Sequence, residues 1–142
     1  MAGTIKKNSQ NLLECQECSL TYLDYNPSTG SIKKFYSKNY FLGTGLDWGY
    51  YNYFEERKNL LLTGQKRLEE IEKFTLRQAQ GKILDIGCAT GFFLEAAKNR
   101  GWQVFGMEVS SFAGNIAKKK FGKNIIISEL KESYFPENFF NA

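Results

Sequence analysis

Apolar positions fall into two regimes along the chain. From residue 82 they come as short runs: Ile83-Leu84 with Ile86, Val104-Phe105 with Met107, and Ile125-Ile126-Ile127. These read as strands over 82–86, 102–107 (ending at Glu108) and 124–127. Phe92 to Arg100 between them reads as a helix stopped by Gly101. Ser110 is an N-cap for a helix from Ser111 to Lys120, with Ala113, Ile116 and Ala117 on its inner face and Gly122 at its end. Strand, helix, strand, helix, strand at these lengths predicts right-handed crossovers, a parallel sheet and an α/β fold.

The pattern is looser upstream. Residues 1 to 11 carry no period and read as a loose tail. Leu12-Leu13-Glu14 and Leu20-Thr21-Tyr22-Leu23 predict the arms of a hairpin, with Cys15-Gln16-Glu17-Cys18 as its turn. Asn26-Pro27-Ser28-Thr29-Gly30 is a turn cluster, followed by a short helix through Ile32, Phe35 and Tyr36. Residues 37 to 50 read as an irregular cap segment. Leu61, Leu68, Ile71 and Thr75 recur at helical spacing and predict a long helix over 51–79. Glu55 with Lys58 and Glu69 with Lys73 add charge pairs, while Gly64 is expected to divide the helix. The chain therefore divides into residues 1–48 (tail, Cys-x-x-Cys hairpin and aromatic cap) and 49–142 (helical lead-in and α/β part).

Composition narrows the chemistry. The chain has 142 residues and no histidine, which removes Ser-His-Asp and Cys-His nucleophile systems and imidazole metal ligands. Apolar runs of three or four residues predict no membrane span. Three cysteines exclude a disulfide scaffold, and with no secretory signal pattern they point to a reducing, cytoplasmic setting. A net charge of +4 is mild, so nucleic acid is not the expected partner. Lys118-Lys119-Lys120 reads as a solvated helix end, where cations favour the dipole.

The candidate chemistry lies in Gly87-Cys88-Ala89-Thr90-Gly91, between the first strand and its helix. A loop there sits at the carboxyl edge of a parallel sheet. Its glycines allow a sharp turn and close approach of a ligand to the main chain. The helix starting at Phe92 offers free N–H groups. Glu108 follows about 20 residues after the loop, at the end of the second strand, where a carboxylate can accept both hydroxyls of a ribose. The spacing predicts a nucleoside-containing cofactor. A dinucleotide site wants Gly-x-Gly-x-x-Gly, but Ala89 and Phe92 occupy its second and third glycine positions, and Asp85 would be left without a role.

The segment from Ile83 to Leu94 resembles motif I of the class I S-adenosylmethionine-dependent methyltransferases: an apolar strand, an acid, then Gly-x-Gly-x-Gly, here with Ala89 for the middle glycine. Phe105-Gly106-Met107-Glu108-Val109-Ser110 resembles the family's next motif. The resemblance implies a Rossmann-like fold with strands in the order 3-2-1. It also implies methyl transfer to a small-molecule acceptor. Asp85 would hold the methionine amino group. The backbone of Gly87, Cys88, Ala89 and Gly91 would bend around the amino-acid part, Glu108 would bind the ribose, and Val109 would pack on the adenine. Glu129 and Leu130 would lie near the adenine edge, and Tyr36 and Tyr40 would cap the cofactor. Pro136-Glu137-Asn138-Phe139-Phe140-Asn141 resembles the lead-in to strand four, so the chain reads as a truncated methyltransferase. Strand one would then be an unpaired apolar edge, and a homo-oligomer through that edge is expected.

The front end resembles small-molecule methyltransferases that begin with two Cys-x-x-Cys knuckles, which implies acceptors of the sugar or natural-product kind. Only Cys15 and Cys18 are present here, and Cys88 belongs to the glycine loop. A structural zinc site needs four ligands, so one chain is not expected to bind zinc. Two free thiols, a zinc site shared by two chains and a redox role all stay open. Tyr36, Tyr40, Phe41, Trp48, Tyr50, Tyr51 and Tyr53 form an aromatic group ahead of the α/β part, able to pack its lead-in helix or face a sulfonium. Two other classes share some of these features. An NAD(P)-binding oxidoreductase would use the loop and Glu108, and a non-enzymatic zinc-ribbon-like module would use Cys15 and Cys18.

Overall fold

The computed structural model describes residues 2–7, 10–24, 27–43, 49–75, 81–130 and 135–142. The expected turn residue Asn26, the ring of Trp48 and the helix end over 76–79 lie outside them.

The α/β part follows the sequence pattern closely. β4 (Lys82–Ile86), β5 (Gln103–Glu108) and β6 (Ile125–Ile127) form a parallel sheet in the order β4-β5-β6, the expected 3-2-1 arrangement. α4 (Phe92–Asn99) and α5 (Ser111–Phe121) are the crossovers. Ser110 caps α5 by accepting the Ala113 N–H at 3.4 Å. α3 (Arg57–Phe74) packs along α4, and Leu68, Ile83, Leu94, Ala97, Val104 and Ile125 form the core between helices and sheet. This is a partial Rossmann-like fold.

Gly64 does not divide α3. It is buried where α3 meets α4, and a Cβ there would lie 3.3 Å from the Ala96 Cβ. Close helix packing thus outweighs the low helix propensity of glycine. α3 also starts later than the apolar period suggests. The Asn52 side chain accepts the Phe54 N–H at 3.1 Å, and this local turn holds residues 51–54 out of the helix. Glu55 accepts from Asn52 at 2.9 Å, and Lys73 pairs with Glu70 at 2.6 Å rather than with Glu69.

At the front, β2 (Gln10–Cys15) and β3 (Thr21–Leu23) make the expected hairpin. The loose tail is corrected: β1 (Ala2–Lys7) pairs antiparallel with β2, from Ala2 opposite Cys15 to Lys7 opposite Gln10. Ladder bonds use the main chain, so a segment without an apolar period can still form a strand. α1 (Thr29–Phe35) begins at the Ser28 cap. The segment expected to be irregular contains α2 (Lys38–Leu42), ended by Gly43 at φ 66°. The Tyr50 and Tyr53 N–H groups donate to the Tyr40 and Phe41 carbonyls at 3.0 and 2.8 Å, which pins residues 50–53 on α2.

The expected bare edge at β4 is also corrected. Asn141 N–H donates to the Lys82 carbonyl at 2.8 Å, and Leu84 N–H donates to the Ala142 carbonyl at 3.0 Å. Asn141 and Ala142 therefore lie beside the first half of β4 in parallel fashion. Phe135, Phe139 and Phe140 pack on Phe105 and cover the sheet face opposite the helices, with centroids 5.3 to 6.3 Å from the Phe105 ring.

Candidate cofactor site

The glycine loop turns on three residues with positive φ: Gly87 at 83°, Ala89 at 47° and Gly91 at 86°. Each glycine has its own reason. A Cβ on Gly87 would meet nothing within 4 Å, so the main chain is bare to open space there. A Cβ on Gly91 would lie 2.6 Å from the Phe121 ring, so this glycine lets α4 start beneath the end of α5. Ala89 adopts the left-handed region although it carries a Cβ. Gly87 and Cys88 both donate to the Met107 carbonyl, at 2.8 and 3.0 Å, which ties the loop to the end of β5.

Glu108 organises the site. It is buried, with Oε2 accepting the Ala89 N–H at 2.8 Å and Oε1 accepting the Ser110 N–H at 2.7 Å. One carboxylate thus fixes both the glycine loop and the start of α5. Each carboxylate oxygen has two acceptor positions, and each spends one here. The pair left over suits a vicinal diol.

Glu108, Val109, Gly87 and Ala89 line a cavity of about 330 Å³ whose other walls are Tyr36, Tyr40, Phe41, Tyr50 and Tyr53. That volume lies in the range of small-ligand sites. The tyrosines interlock edge to face, with centroids 4.9 Å apart for Tyr36 and Tyr40, 5.8 Å for Tyr40 and Tyr50, and 4.6 Å for Tyr50 and Tyr53. Tyr53 also stacks on Phe92 at the head of α4, at 5.5 Å. Burial raises the phenol pKa of Tyr40, and more strongly that of Tyr53, so both stay neutral at physiological pH.

Asp85 is half-buried in β4 just before the loop and does not line the cavity. Burial pushes its carboxyl up to about 6, against the pull of Arg67 on α3, and the Glu108 charge adds to the rise. The Cys88 side chain lies in the core rather than at the cavity, and burial raises its thiol to about 12. Gly91 is buried under Phe121 and acts through backbone geometry alone. Glu129 and Leu130 do not line the cavity. Leu130 is exposed, and the Glu129 Oε1 atom is buried with no hydrogen-bond partner. Tyr50, Tyr53 and Phe41 join the walls although the sequence ranked Tyr36 and Tyr40 ahead of them. Their signal was the density of rings, and α2 with its backbone bonds selects which of them face inward. Tyr51 in the same run is fully outside.

Residues 84–142 match the family described as methyltransferase domain. This part of the chain is similar to that family. The match runs from Leu84, within β4, to Ala142 and includes the whole glycine loop and Glu108. No curated protein matches the chain. Among solved structures, the chain aligns with the crystal structure of the cyclase SpnF over 80% of its own length and 47% of the other's, at 15% identity and a TM-score of 0.46. The chain thus spans less than half the length of that structure.

At the front of the chain, Cys15 and Cys18 are free thiols in the hairpin turn. Hydrogen bonds from the Cys18 and Glu17 backbone, and from the Cys18 side chain, hold the Cys15 thiol below its usual range. Ser19 closes the turn at φ 58°. Among the described residues, no group of three or more His, Cys, Asp or Glu side chains is placed to hold a metal.

Proposed function

We propose that the tyrosine-walled cavity binds S-adenosylmethionine and that the protein transfers its methyl group to a small-molecule acceptor. The observation that carries this reading is Glu108: a buried carboxylate, fixed by two backbone donors, on the wall of a cavity beside a bare glycine. Its free acceptor positions receive the ribose hydroxyls. The open main chain at Gly87 leaves room for the amino-acid part, and ionised Asp85 favours the nearby ammonium. Tyr36, Tyr40 and Tyr50 present aromatic rings that accommodate a sulfonium by cation–π contact. The bound cofactor supplies an activated methyl: the S–CH3 bond breaks, the acceptor–CH3 bond forms, the sulfur keeps the bonding pair, and any acceptor proton leaves to solvent or to a base. Alignment of the two partners does much of the catalysis.

Calorimetric titration with S-adenosylhomocysteine, beside NADH, tests the reading. The former is expected to bind and NADH not. Glu108→Gln replaces one acceptor oxygen by a donor and is expected to weaken S-adenosylhomocysteine at least tenfold. Preferential binding of NADH would turn the assignment to an oxidoreductase.

A further inference from the structure

A second hollow adjoins the cofactor cavity. It measures about 410 Å³ and is lined by Pro27, Ser31, Ile32, Phe35 and Tyr36 of α1 and the turn before it. Tyr36 belongs to both walls. Among the described residues, no lining side chain is charged. Among those residues the polar side chain besides the tyrosine, Ser31, already shares a 2.9 Å hydrogen bond with Ser28. Phe35 and Tyr36 stay 43% and 37% exposed, so two rings that could bury against the protein instead face this hollow and solvent. Their rings meet edge to face at 5.0 Å and continue into Tyr40, at 4.9 Å from Tyr36, so an unbroken aromatic path leads from the hollow to the cofactor cavity.

A methyl acceptor must reach the cofactor directly, because the transfer is in line. Its site therefore has to border the cofactor cavity. A third hollow, of about 480 Å³, fails this condition. It surrounds Gln103 and Val104 at the start of β5, with Lys98 and Lys120 in its walls, and shares no residue with the cavity at Glu108. Gln103 and Glu108 stand five residue steps apart along β5, about 16 Å at ~3.3 Å each.

Resting on the function proposed above, we infer that the α1 hollow is the acceptor site and that the acceptor is an uncharged compound with a flat, apolar body. Pro27, Ile32 and Phe35 hold that body by burial, and its nucleophilic atom passes Tyr36 toward the cofactor. The acceptor atom gains the methyl, the sulfonium loses it and keeps the electron pair, and a proton on the acceptor leaves. A sugar-like acceptor suits these walls poorly, since its hydroxyls would lose water without gaining partners.

Fluorescence titration with 2-naphthol, a neutral two-ring probe, tests this on the chain as it stands, with methyl α-D-glucoside as polar counter-probe. 2-Naphthol is expected to bind and the glucoside not. Ile32→Glu places a carboxylate in the wall and is expected to weaken 2-naphthol at least tenfold, while S-adenosylhomocysteine affinity stays within twofold. Phe35→Ser should move the same way, and far-UV circular dichroism confirms that both variants fold. With S-adenosylhomocysteine bound, absent 2-naphthol binding, unchanged binding in both variants, or preference for the glucoside overturns the acceptor inference alone. Absent S-adenosylhomocysteine binding overturns the functional reading and this inference with it.

Discussion

Ala89 carries the tightest conflict between residue type and backbone. It sits at φ 47°, and its N–H is held by Glu108 at 2.8 Å, so the loop cannot relax by releasing it. The left-handed region costs a residue with a Cβ about 1–2 kcal/mol. Ala89→Gly is therefore expected to raise stability by about 1 kcal/mol, a shift of roughly 3 °C in Tm for a domain of this size. A fall in Tm would show that the methyl's packing outweighs the strain. Asp85 holds a conflict of a different kind. Its carboxyl rises to about 6 in the folded chain, above its unfolded value, so ionisation opposes folding. The penalty is absent below about pH 4, grows as pH rises and is complete above about pH 6. Asp85→Asn should thus melt higher than the native chain at pH 8 and no higher near pH 4, in thermal melts across that range. The same group should make S-adenosylhomocysteine bind more weakly below pH 6, where the carboxyl is neutral. A pH-independent affinity would remove Asp85 from the site.

At the scale of elements, the three strands, both crossover helices and the Ser110 cap were all legible, because glycines and apolar runs punctuate that region at the right lengths. The misjudged features depend on partners that a local period does not encode. Gly64 looks like a helix breaker by itself and becomes a contact point only once α4 lies across it. β1 exists through ladder bonds to β2, with no pattern of its own. Glu108 was legible as the strand-end carboxylate beyond the glycine loop, yet its two backbone bonds needed the loop and α5 in place. The link between α3 and β5 is similar. Glu72 accepts from the Arg100 guanidinium and, at 3.1 Å, from the indole N–H of buried Trp102. These donors hold the Glu72 carboxyl below its usual range. Glu72→Ala leaves the indole N–H without this acceptor and is expected to cost about 1–3 kcal/mol in chemical denaturation. A loss below ~0.5 kcal/mol would mark the arrangement as a surface ion pair of little weight.

For the whole molecule, the sheet is covered on both faces, by helices on one and by the Phe135, Phe139 and Phe140 rings on the other. Among the described residues, no helix is long and apolar enough to cross a membrane. The β4 edge is shielded over its first half by Asn141 and Ala142, and Ile86 beyond them is 58% exposed. Deleting Asn141 and Ala142 is expected to favour self-association through that edge, seen as faster-sedimenting species at rising concentration. Unchanged sedimentation would show the edge to be inert.

The ring of Tyr36 is common property of two hollows, and this has a thermodynamic corollary. Guests that press on the same phenol do not act independently. Whatever factor one guest applies to the dissociation constant of the other must be returned in full, since the four-state cycle closes. A neutral aryl compound that tightens S-adenosylhomocysteine fivefold would itself be tightened fivefold, and a mutual antagonist would obey the same equality with the sign reversed. The shared side chain ties the two occupancies together, while the order of addition leaves the final equilibrium unchanged, as in any closed cycle.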